Sequence, residues 1–186
     1  MYKRQTVSLS LDEIYKLANK TLLANGCDQE TADILSELIT NAERDGSLSH
    51  GLFRLPAYVS GLKSGKINGK QKPDIKKLTP SVIKADGKNC LAPVVLNKSI
   101  PELVKAAKEN GVAVLAIINS HHMAAMWPET EKIAEEGLVA FACTSYKPAV
   151  APAGAIKPLF GTNPISFAWP RKNNTPVVYD MATASM

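Results

Sequence analysis

The chain has 186 residues, of which 45% are hydrophobic and 21% are charged, and its formal net charge is +5. This composition is typical of a globular protein in water and excludes disordered, collagen-like and coiled-coil chains. The longest apolar run, residues 112–118, is much shorter than the roughly 20 residues that cross a bilayer. Because no apolar segment follows the first five residues, we expect no secretory signal and a cytoplasmic protein without a membrane partner.

Two amphipathic helices are predicted at the start of the chain. Ser10 and Glu13 have the spacing of a capping box, in which a hydroxyl and a carboxylate bind each other's backbone amides, so the first helix begins here. Asp28 is predicted to cap the second helix. A polar loop over residues 44–51 follows, and residues 52–62 are predicted to form a third, shorter helix.

Strands and helices alternate from about residue 75 onward. We expect the apolar strand 112–118 to be buried. The mixture predicts an α/β (α+β mixed) fold in two domains, a helical N-terminal lobe over residues 1–74 and a second domain over residues 75–186. The predicted strands are 81–87, 112–118, 138–144, 165–169 and 177–179, and the predicted helices are 97–110 and 128–136.

Much of the basic excess lies in one lysine-rich stretch. Only one acidic residue, Asp74, accompanies these lysines, and no aromatic residue lies among them to stack on bases. A solvated surface loop is therefore favoured over a nucleic-acid-binding module, which is the alternative from a different functional class. The lysines are Lys63, Lys66, Lys70, Lys72, Lys76 and Lys77.

The three cysteines, Cys27, Cys90 and Cys143, are far apart and include no Cys-x-x-Cys pair. An odd number without close spacing argues against a disulfide framework and against a structural zinc site. We therefore expect no metal, and we expect each cysteine to be a small buried side chain.

All three histidines lie in two loops, and a serine precedes the first histidine of each loop: Ser49-His50 and Ser120-His121-His122. Loops often carry catalytic groups, and imidazole suits proton transfer near neutral pH. The sequence contains no Gly-x-Ser-x-Gly, His-Glu-x-x-His or Gly-x-Gly-x-x-Gly motif, which argues against a serine hydrolase, a zinc hydrolase and a Rossmann nucleotide site.

Arg54 follows His50 by four residues and would share a helical face with it if the third helix began one turn early. A guanidinium beside an acid–base imidazole suits a substrate with a carboxylate, because arginine binds carboxylates through two parallel hydrogen bonds. A surface ion pair is the alternative role for Arg54, and the spacing alone slightly favours that ion pair over a carboxylate site.

Four segments in this order together resemble the malate/L-lactate dehydrogenase family of the non-Rossmann type. They are Arg44-Asp45-Gly46 with Ser49 to Tyr58, Asn119 to His122, Gly161 to Pro164, and Tyr179 to Thr183. The resemblance covers essentially the whole chain and implies that residues 75–186 are the first part of a mixed-sheet NAD(P)-binding domain. It also implies a chain that is truncated at its C-terminus, because a relay aspartate of the family follows the Asp180 turn. Such a fragment would have reduced activity or none.

Within that family, residues 121–129 and 157–164 most resemble the cyclic imino-acid reductases. Those enzymes reduce Δ1-piperideine-2-carboxylate and Δ1-pyrroline-2-carboxylate with NADPH to L-pipecolate and L-proline. Relatives acting on 2-hydroxy acids usually read His-Phe-Gly where this chain has His122-Met123-Ala124. The resemblance implies an NADPH-dependent imino-acid reductase, with an NAD(P)-dependent malate/L-lactate-type 2-hydroxy-acid dehydrogenase, using NADH or NADPH, as the alternative.

The resemblance also implies roles for individual residues. His50 would donate the proton, with Ser49 as part of its relay, and Arg54 would bind the substrate carboxylate, which Thr162 would also contact. The complete protein would be a homodimer that binds a small carboxylate-bearing substrate and no nucleic acid. The implied cofactor-binding residues are His122, Met123, Ala124, Ala125, Met126, Asp180, Met181 and Ala182.

Overall fold

A computed structural model describes residues 7–183 and confirms the predicted mixture of helices and sheets. The first six residues, where we expected no secretory signal, and the last three, where the resemblance implies a truncation, lie outside the described range. The helices are α1 (Leu11–Ala24), α2 (Gln29–Arg44), α3 (Leu55–Lys63), α4 (Ala92–Asn110) and α5 (Trp127–Glu135), and the strands are β1 (Asp74–Thr79), β2 (Val82–Asp86), β3 (Val114–Ile118), β4 (Ala140–Cys143), β5 (Ile165–Arg171) and β6 (Asn174–Met181).

The chain forms two compact units. The first comprises the chain up to Leu78, Val82–Ser99 and Leu115–Ala124. The second comprises Thr79–Ser81, Ile100–Val114 and the chain from Ala125 onward. The division into functional domains at residues 74 and 75 stays a prediction. In the described part of the chain, no helix is long and apolar enough to cross a membrane.

Both predicted helix caps are present in the first unit. The backbone N–H of Glu13 donates to the Ser10 hydroxyl at 3.3 Å, and the backbone N–H of Ser10 donates to the Glu13 carboxylate at 2.8 Å. Asp28 accepts from the N–H of Thr31 at 2.9 Å at the start of α2. These bonds satisfy amides that have no partner within the helix, which is why the two boundaries could be predicted locally. The helices then bury a common core that includes Ala18, Leu22, Ala32, Leu35, Ile39, Leu55 and Tyr58.

The single helix predicted over residues 52–62 is wrong in its first turn. Residues 48–50 and 52–54 each form a short 3-10 turn, and α3 begins only at Leu55. Pro56 explains the late start, because proline has no N–H to donate and its ring clashes with the carbonyl four residues earlier. The predicted polar loop 44–51 therefore contains a turn of its own.

The first sheet has the strand order β1-β2-β3. β2 confirms the predicted strand 81–87 with slightly shorter bounds, whereas β1 arises within the lysine-rich stretch and was not predicted. Lys76 lies on β1 with its ammonium 3.1 Å from the Asp74 carboxylate. Lys72 binds Asp28 and Glu30 of the α2 region, at 2.9 Å for Asp28. All six lysines are exposed, as the solvated-surface prediction expected. The loop part of the prediction is wrong for Lys63, which ends α3, and for Lys76 and Lys77, which lie on β1.

β3 is the predicted apolar strand 112–118, but only one of its faces is covered. Leu115 and Ile117 pack against a small cluster around Ala85 and Val95. Val114, on the opposite face, is 55% exposed. A continuous apolar run suggested a strand buried on both sides, and among the described residues that prediction is wrong for the outer face.

The second unit contains an antiparallel sheet with the order β4-β5-β6, and α5 packs on one face. A hydrogen bond of 2.7 Å joins the buried hydroxyls of Thr130 and Ser166. Ser166 also lies within hydrogen-bond distance of the Tyr179 carbonyl, at 3.2 Å. The inner face of the sheet is lined with small side chains such as Ala140 and Ala168, which let the helix approach closely.

The outer face of this sheet is apolar and largely open. Phe141, Phe167 and Tyr179 lie side by side across the three strands, and the rings of Phe167 and Tyr179 stack at 5.5 Å. Phe141 is 63% exposed. The other side chains on this face are Cys143, Ile165, Trp169, Val177 and Met181.

The cysteine prediction holds for two of the three positions. Cys27 and Cys90 are buried, as expected, but Cys143 is exposed because it points to the open outer face of the β4-β5-β6 sheet. Burial raises the pKa of the Cys27 thiol to about 11 and also raises the pKa of Cys90.

We expect a thiol reagent such as DTNB to label one cysteine per folded chain at pH 8. The thiolate is the nucleophile, and a pKa of about 11 for Cys27 leaves only ~0.1% of it ionised at that pH. Cys143→Ser should abolish the rapid phase, while guanidinium should expose every cysteine to the reagent. Rapid labelling of the folded Cys143→Ser variant would contradict this accessibility.

Candidate active site

Ser49 and His50 form a hydrogen-bonded pair, while the proton-donor and relay roles that the resemblance implies for them stay predictions. His50 ends the 3-10 turn after α2, and its backbone N–H donates to the Ser47 carbonyl at 2.8 Å. The Ser49 hydroxyl lies 3.0 Å from Nδ1 of His50, and the Ser47 hydroxyl lies 3.5 Å from the same atom. Two hydroxyls therefore face one ring nitrogen, which orients the imidazole. Ser47 was not identified from the sequence.

Arg54 has no ion pair with a described carboxylate, so the surface ion-pair alternative is not what the structure shows. Its side chain is half-buried, and its Nε is buried without a hydrogen-bond partner in the described part of the chain. A buried donor without a partner is costly in a folded protein. The shared helical face with His50 is wrong, because Gly51 separates the two 3-10 turns that carry these residues.

Tyr58 adds a second unpartnered polar atom near Arg54. The Tyr58 side chain is fully buried, and its hydroxyl has no hydrogen-bond partner among residues 7–183. Burial raises the pKa of Tyr58, and the positive charge of Arg54 partly offsets that rise. The guanidinium is therefore close enough to the phenol to affect it. Tyr58 is the last residue of the Ser49 to Tyr58 segment that carries the family resemblance, but no role was predicted for it from the sequence.

The loop with His121 and His122 is held by its backbone. The N–H of His121 donates to the Cys90 carbonyl at 3.1 Å, and the carbonyl of His121 accepts from Ala92 at 3.0 Å. Two residues further on, Met123 packs against the apolar core of the first unit. The structure thus fixes the position of this loop, while cofactor binding by His122, Met123 and Ala124 stays a prediction.

Asp180 joins two of the segments predicted to bind the cofactor. Its carboxylate accepts from the N–H of Met126 at 2.6 Å and from the N–H of Trp127 at 2.9 Å. Trp127 begins α5, so the predicted helix 128–136 is confirmed with a start one residue earlier. A carboxylate is favourable at this end of a helix. The side chains of Ala125 and Met126 are buried, and Met181 and Ala182 are exposed.

Thr162 lies in a turn with defined backbone contacts. Asn163 adopts a φ of 43°, and its amide oxygen accepts from the N–H of Tyr146 at 3.1 Å. The carbonyl of Thr162 accepts from the N–H of Thr183 at 2.9 Å. The amide oxygen of Asn163 is therefore used within the loop, and substrate contact by Thr162 stays a prediction.

The described residues contain no group of three or more histidine, cysteine or acidic side chains that could hold a metal ion. The chemistry of the first unit is instead a hydroxyl–imidazole pair followed by an unpaired arginine in the next turn. These are groups for moving a proton and binding an anion.

The chain belongs to the malate/L-lactate dehydrogenase family, whose sequence model matches residues 9–186. It is 41% identical over 181 residues to the Δ1-pyrroline-2-carboxylate/Δ1-piperideine-2-carboxylate reductase of Pseudomonas syringae pv. tomato, covering 97% of this chain and 53% of the relative. It is 36% identical to the NADP-dependent (2R)-3-sulfolactate dehydrogenase of Chromohalobacter salexigens, covering 96% of this chain and 53% of the relative.

The solved structures agree with the sequence relatives. The Δ1-piperideine-2-carboxylate reductase of Pseudomonas syringae pv. tomato superposes with a TM-score of 0.90 at 42% identity, covering 96% of this chain and 54% of that one. The family and its imino-acid reductase branch, both suggested by sequence resemblance, are therefore confirmed as the relatives of this chain. The chain spans about half the length of the curated relatives it matches.

Proposed function

We propose that the protein is an NADPH-dependent reductase of a small cyclic imino acid, converting Δ1-piperideine-2-carboxylate or Δ1-pyrroline-2-carboxylate to the saturated amino acid. The observation that carries the proposal is the unpartnered Nε of Arg54, in the turn directly after the one that holds the Ser49–His50 pair. A substrate carboxylate would satisfy this donor. The relatives named as reductases of such imines support the choice of substrate.

Ser49, His50 and Arg54 divide the work on the substrate. Arg54 fixes the carboxylate and thereby orients the C=N bond beside it. Reduction of that carbon requires a proton on nitrogen, which His50 provides or retains there. Because the Ser49 hydroxyl lies 3.0 Å from Nδ1, we assign proton transfer to Nε2, with Ser49 and Ser47 stabilising the ring orientation.

A nicotinamide cofactor, when bound, supplies the hydride. Asp180 already binds the amides at the start of α5, where a helix would hold a phosphate, so this end of the segment 122–126 does not offer a phosphate site. We propose that this segment contacts the cofactor and that Asp180 holds the segment in position. Met181 and Ala182, which follow Asp180 in the chain, would contact the cofactor as well. Residues 75–186 would then be part of the NAD(P)-binding domain of a cytoplasmic homodimer.

A 2-hydroxy-acid dehydrogenase is the second candidate. Arg54 would bind the carboxylate of a 2-keto acid equally well, and one relative is named as a sulfolactate dehydrogenase. The segment Met123-Ala124 favours the imine, because it departs from the Phe-Gly that the hydroxy-acid relatives usually carry. NADH could replace NADPH in either reaction.

In a protein of the relatives' full length, we expect kcat/KM for Δ1-piperideine-2-carboxylate with NADPH to be at least about tenfold higher than for pyruvate or oxaloacetate. That ratio corresponds to about 1.4 kcal/mol of transition-state binding, a range that one pocket can supply. The three substrates should be compared side by side by following the loss of reduced cofactor, with the Pseudomonas syringae reductase as the positive control. Preference for a keto acid, or equal efficiency on all three, would overturn the imine assignment.

A further inference from the structure

We propose that Glu43 is a positioning residue that holds His50 in its working orientation by fastening the backbone that follows it. The role of His50 in this inference rests on the proposed function, whereas the contact between Glu43 and the backbone of Leu52 is independent of it. Glu43 lies in the last turn of α2, and its Oε1 accepts from the backbone N–H of Leu52 at 2.7 Å. This bond spans nine residues and closes the loop that contains Ser49 and His50.

Gly51 leaves the space that the Glu43 side chain occupies. A Cβ at Gly51 would lie 2.1 Å from Oε1, 2.5 Å from Cδ and 2.7 Å from Cγ of Glu43. All three distances are shorter than real Cβ contacts, so the carboxylate group lies directly against the backbone between His50 and Leu52. Any side chain at residue 51 would therefore have to displace the Glu43 carboxylate from its present position.

The position of Glu43 is unfavourable for the helix that carries it. A carboxylate in the last turn lies near the negative end of the helix dipole. The N–H of Leu52, at the start of the following 3-10 turn, is a donor that compensates for this placement. An acidic residue at the end of an amphipathic helix was the signal in the sequence that could have identified this contact.

Glu43 restrains the backbone on the C-terminal side of His50. Before His50, its N–H donates to the Ser47 carbonyl at 2.8 Å, whereas the Gly51 N–H reaches the Leu48 carbonyl only at 3.4 Å. The Gly51 carbonyl accepts from Arg54 at 2.9 Å within the next turn, and the bond from Leu52 to Glu43 adds a restraint from α2. It also holds the beginning of the turn that ends at Arg54. The Glu43 side chain therefore restrains the backbone after His50, the proposed acid, and before Arg54, the residue proposed to bind the substrate carboxylate.

A double-mutant cycle with NMR detection tests this role in the chain itself. The signals are the Cε1–Hε1 resonances of the three histidines, recorded at the same pH for every variant. Glu43→Ala and Gly51→Ala should each shift the His50 resonance, the first by releasing the loop and the second by displacing the carboxylate. The double variant should shift it no further than Glu43→Ala alone, because the methyl group added at residue 51 then has no carboxylate to displace.

Glu43→Gln separates position from charge. Its amide oxygen can accept the same bond from Leu52, so the His50 resonance should stay within the range of the unaltered protein. His121 and His122 serve as internal controls and should not move. If Glu43→Ala unfolds the chain, Glu43→Asp, whose carboxylate is one methylene short of the Leu52 amide, takes its place in the cycle.

Three results would overturn the inference. They are an unchanged His50 resonance in folded Glu43→Ala or Glu43→Asp, additive shifts in the double variant, and equal shifts in Glu43→Gln and Glu43→Ala. A shifted His50 in a protein of the relatives' full length that fails to reduce the imine would leave the positioning role standing and overturn only the proposed function. With imine as substrate, Glu43→Ala should lower kcat about tenfold or more while KM changes by less than about twofold.

Discussion

In a protein of the relatives' full length, replacement of His50 by alanine is expected to lower kcat/KM for the imine by about 100-fold or more, the usual contribution of a placed general acid. The Ser49 hydroxyl lies 3.0 Å from Nδ1 of His50 and orients the ring, so Ser49→Ala should cause a smaller loss, about tenfold. Steady-state kinetics at neutral pH measure both effects. Affinity for NADPH should not change, because His50 is assigned to the substrate and not to the cofactor.

His121→Ala is the matched control for His50→Ala. Both residues lie in Ser-His loops, but His121 is held by backbone bonds to Cys90 and Ala92, which alanine retains. We therefore expect its kcat/KM to stay within about threefold of the unaltered protein. Equal losses at His50 and His121, or a larger loss at His121, would mean that the proton donor has been assigned to the wrong loop.

The helical part of the fold could be predicted because its signals are local. Ser10, Glu13 and Asp28 satisfy backbone amides three residues away, and those bonds occur as expected. The sheets were harder to predict, because the exposure of a strand depends on what covers it. The apolar run at Val114 suggested burial on both sides, and only the packed neighbours reveal which face is open.

In the candidate site, too, the local features could be predicted from the sequence and the contacts between distant residues could not. Ser49 and His50 are adjacent in a motif that carries the family resemblance, so both could be identified as candidates from the sequence, although their hydrogen bond was not predicted. The role of Arg54 could not be decided, because the sequence does not show whether a carboxylate of the same chain lies beside the guanidinium. Glu43 was missed because its partner, the amide of Leu52, is nine residues away and belongs to the backbone.

Replacement of Arg54 by methionine is expected to lower kcat/KM by about 100-fold, or about 2.7 kcal/mol, without destabilising the fold. The loss reflects a charge-assisted bond to the substrate carboxylate, whereas within the described residues the Nε makes no hydrogen bond that methionine would remove. Arg54→Lys keeps the charge but lacks the planar fork, so it should recover only part of the efficiency. The free energy of unfolding from urea titration should change by less than about 0.5 kcal/mol.

Arg44→Met separates this effect from the general loss of a positive charge. Arg44 belongs to the same sequence motif, but its Nε is 2.8 Å from the Asp45 carboxylate and its side chain is exposed. Surface ion pairs of this kind contribute about 0–1 kcal/mol to stability, so Arg44→Met should leave kcat/KM nearly unchanged. A site that binds a carboxylate predicts a loss of activity at Arg54 with little change in stability. The reverse pattern, a destabilised Arg54→Met variant with normal kcat/KM, would make Arg54 a structural residue and remove the observation on which the proposed function rests.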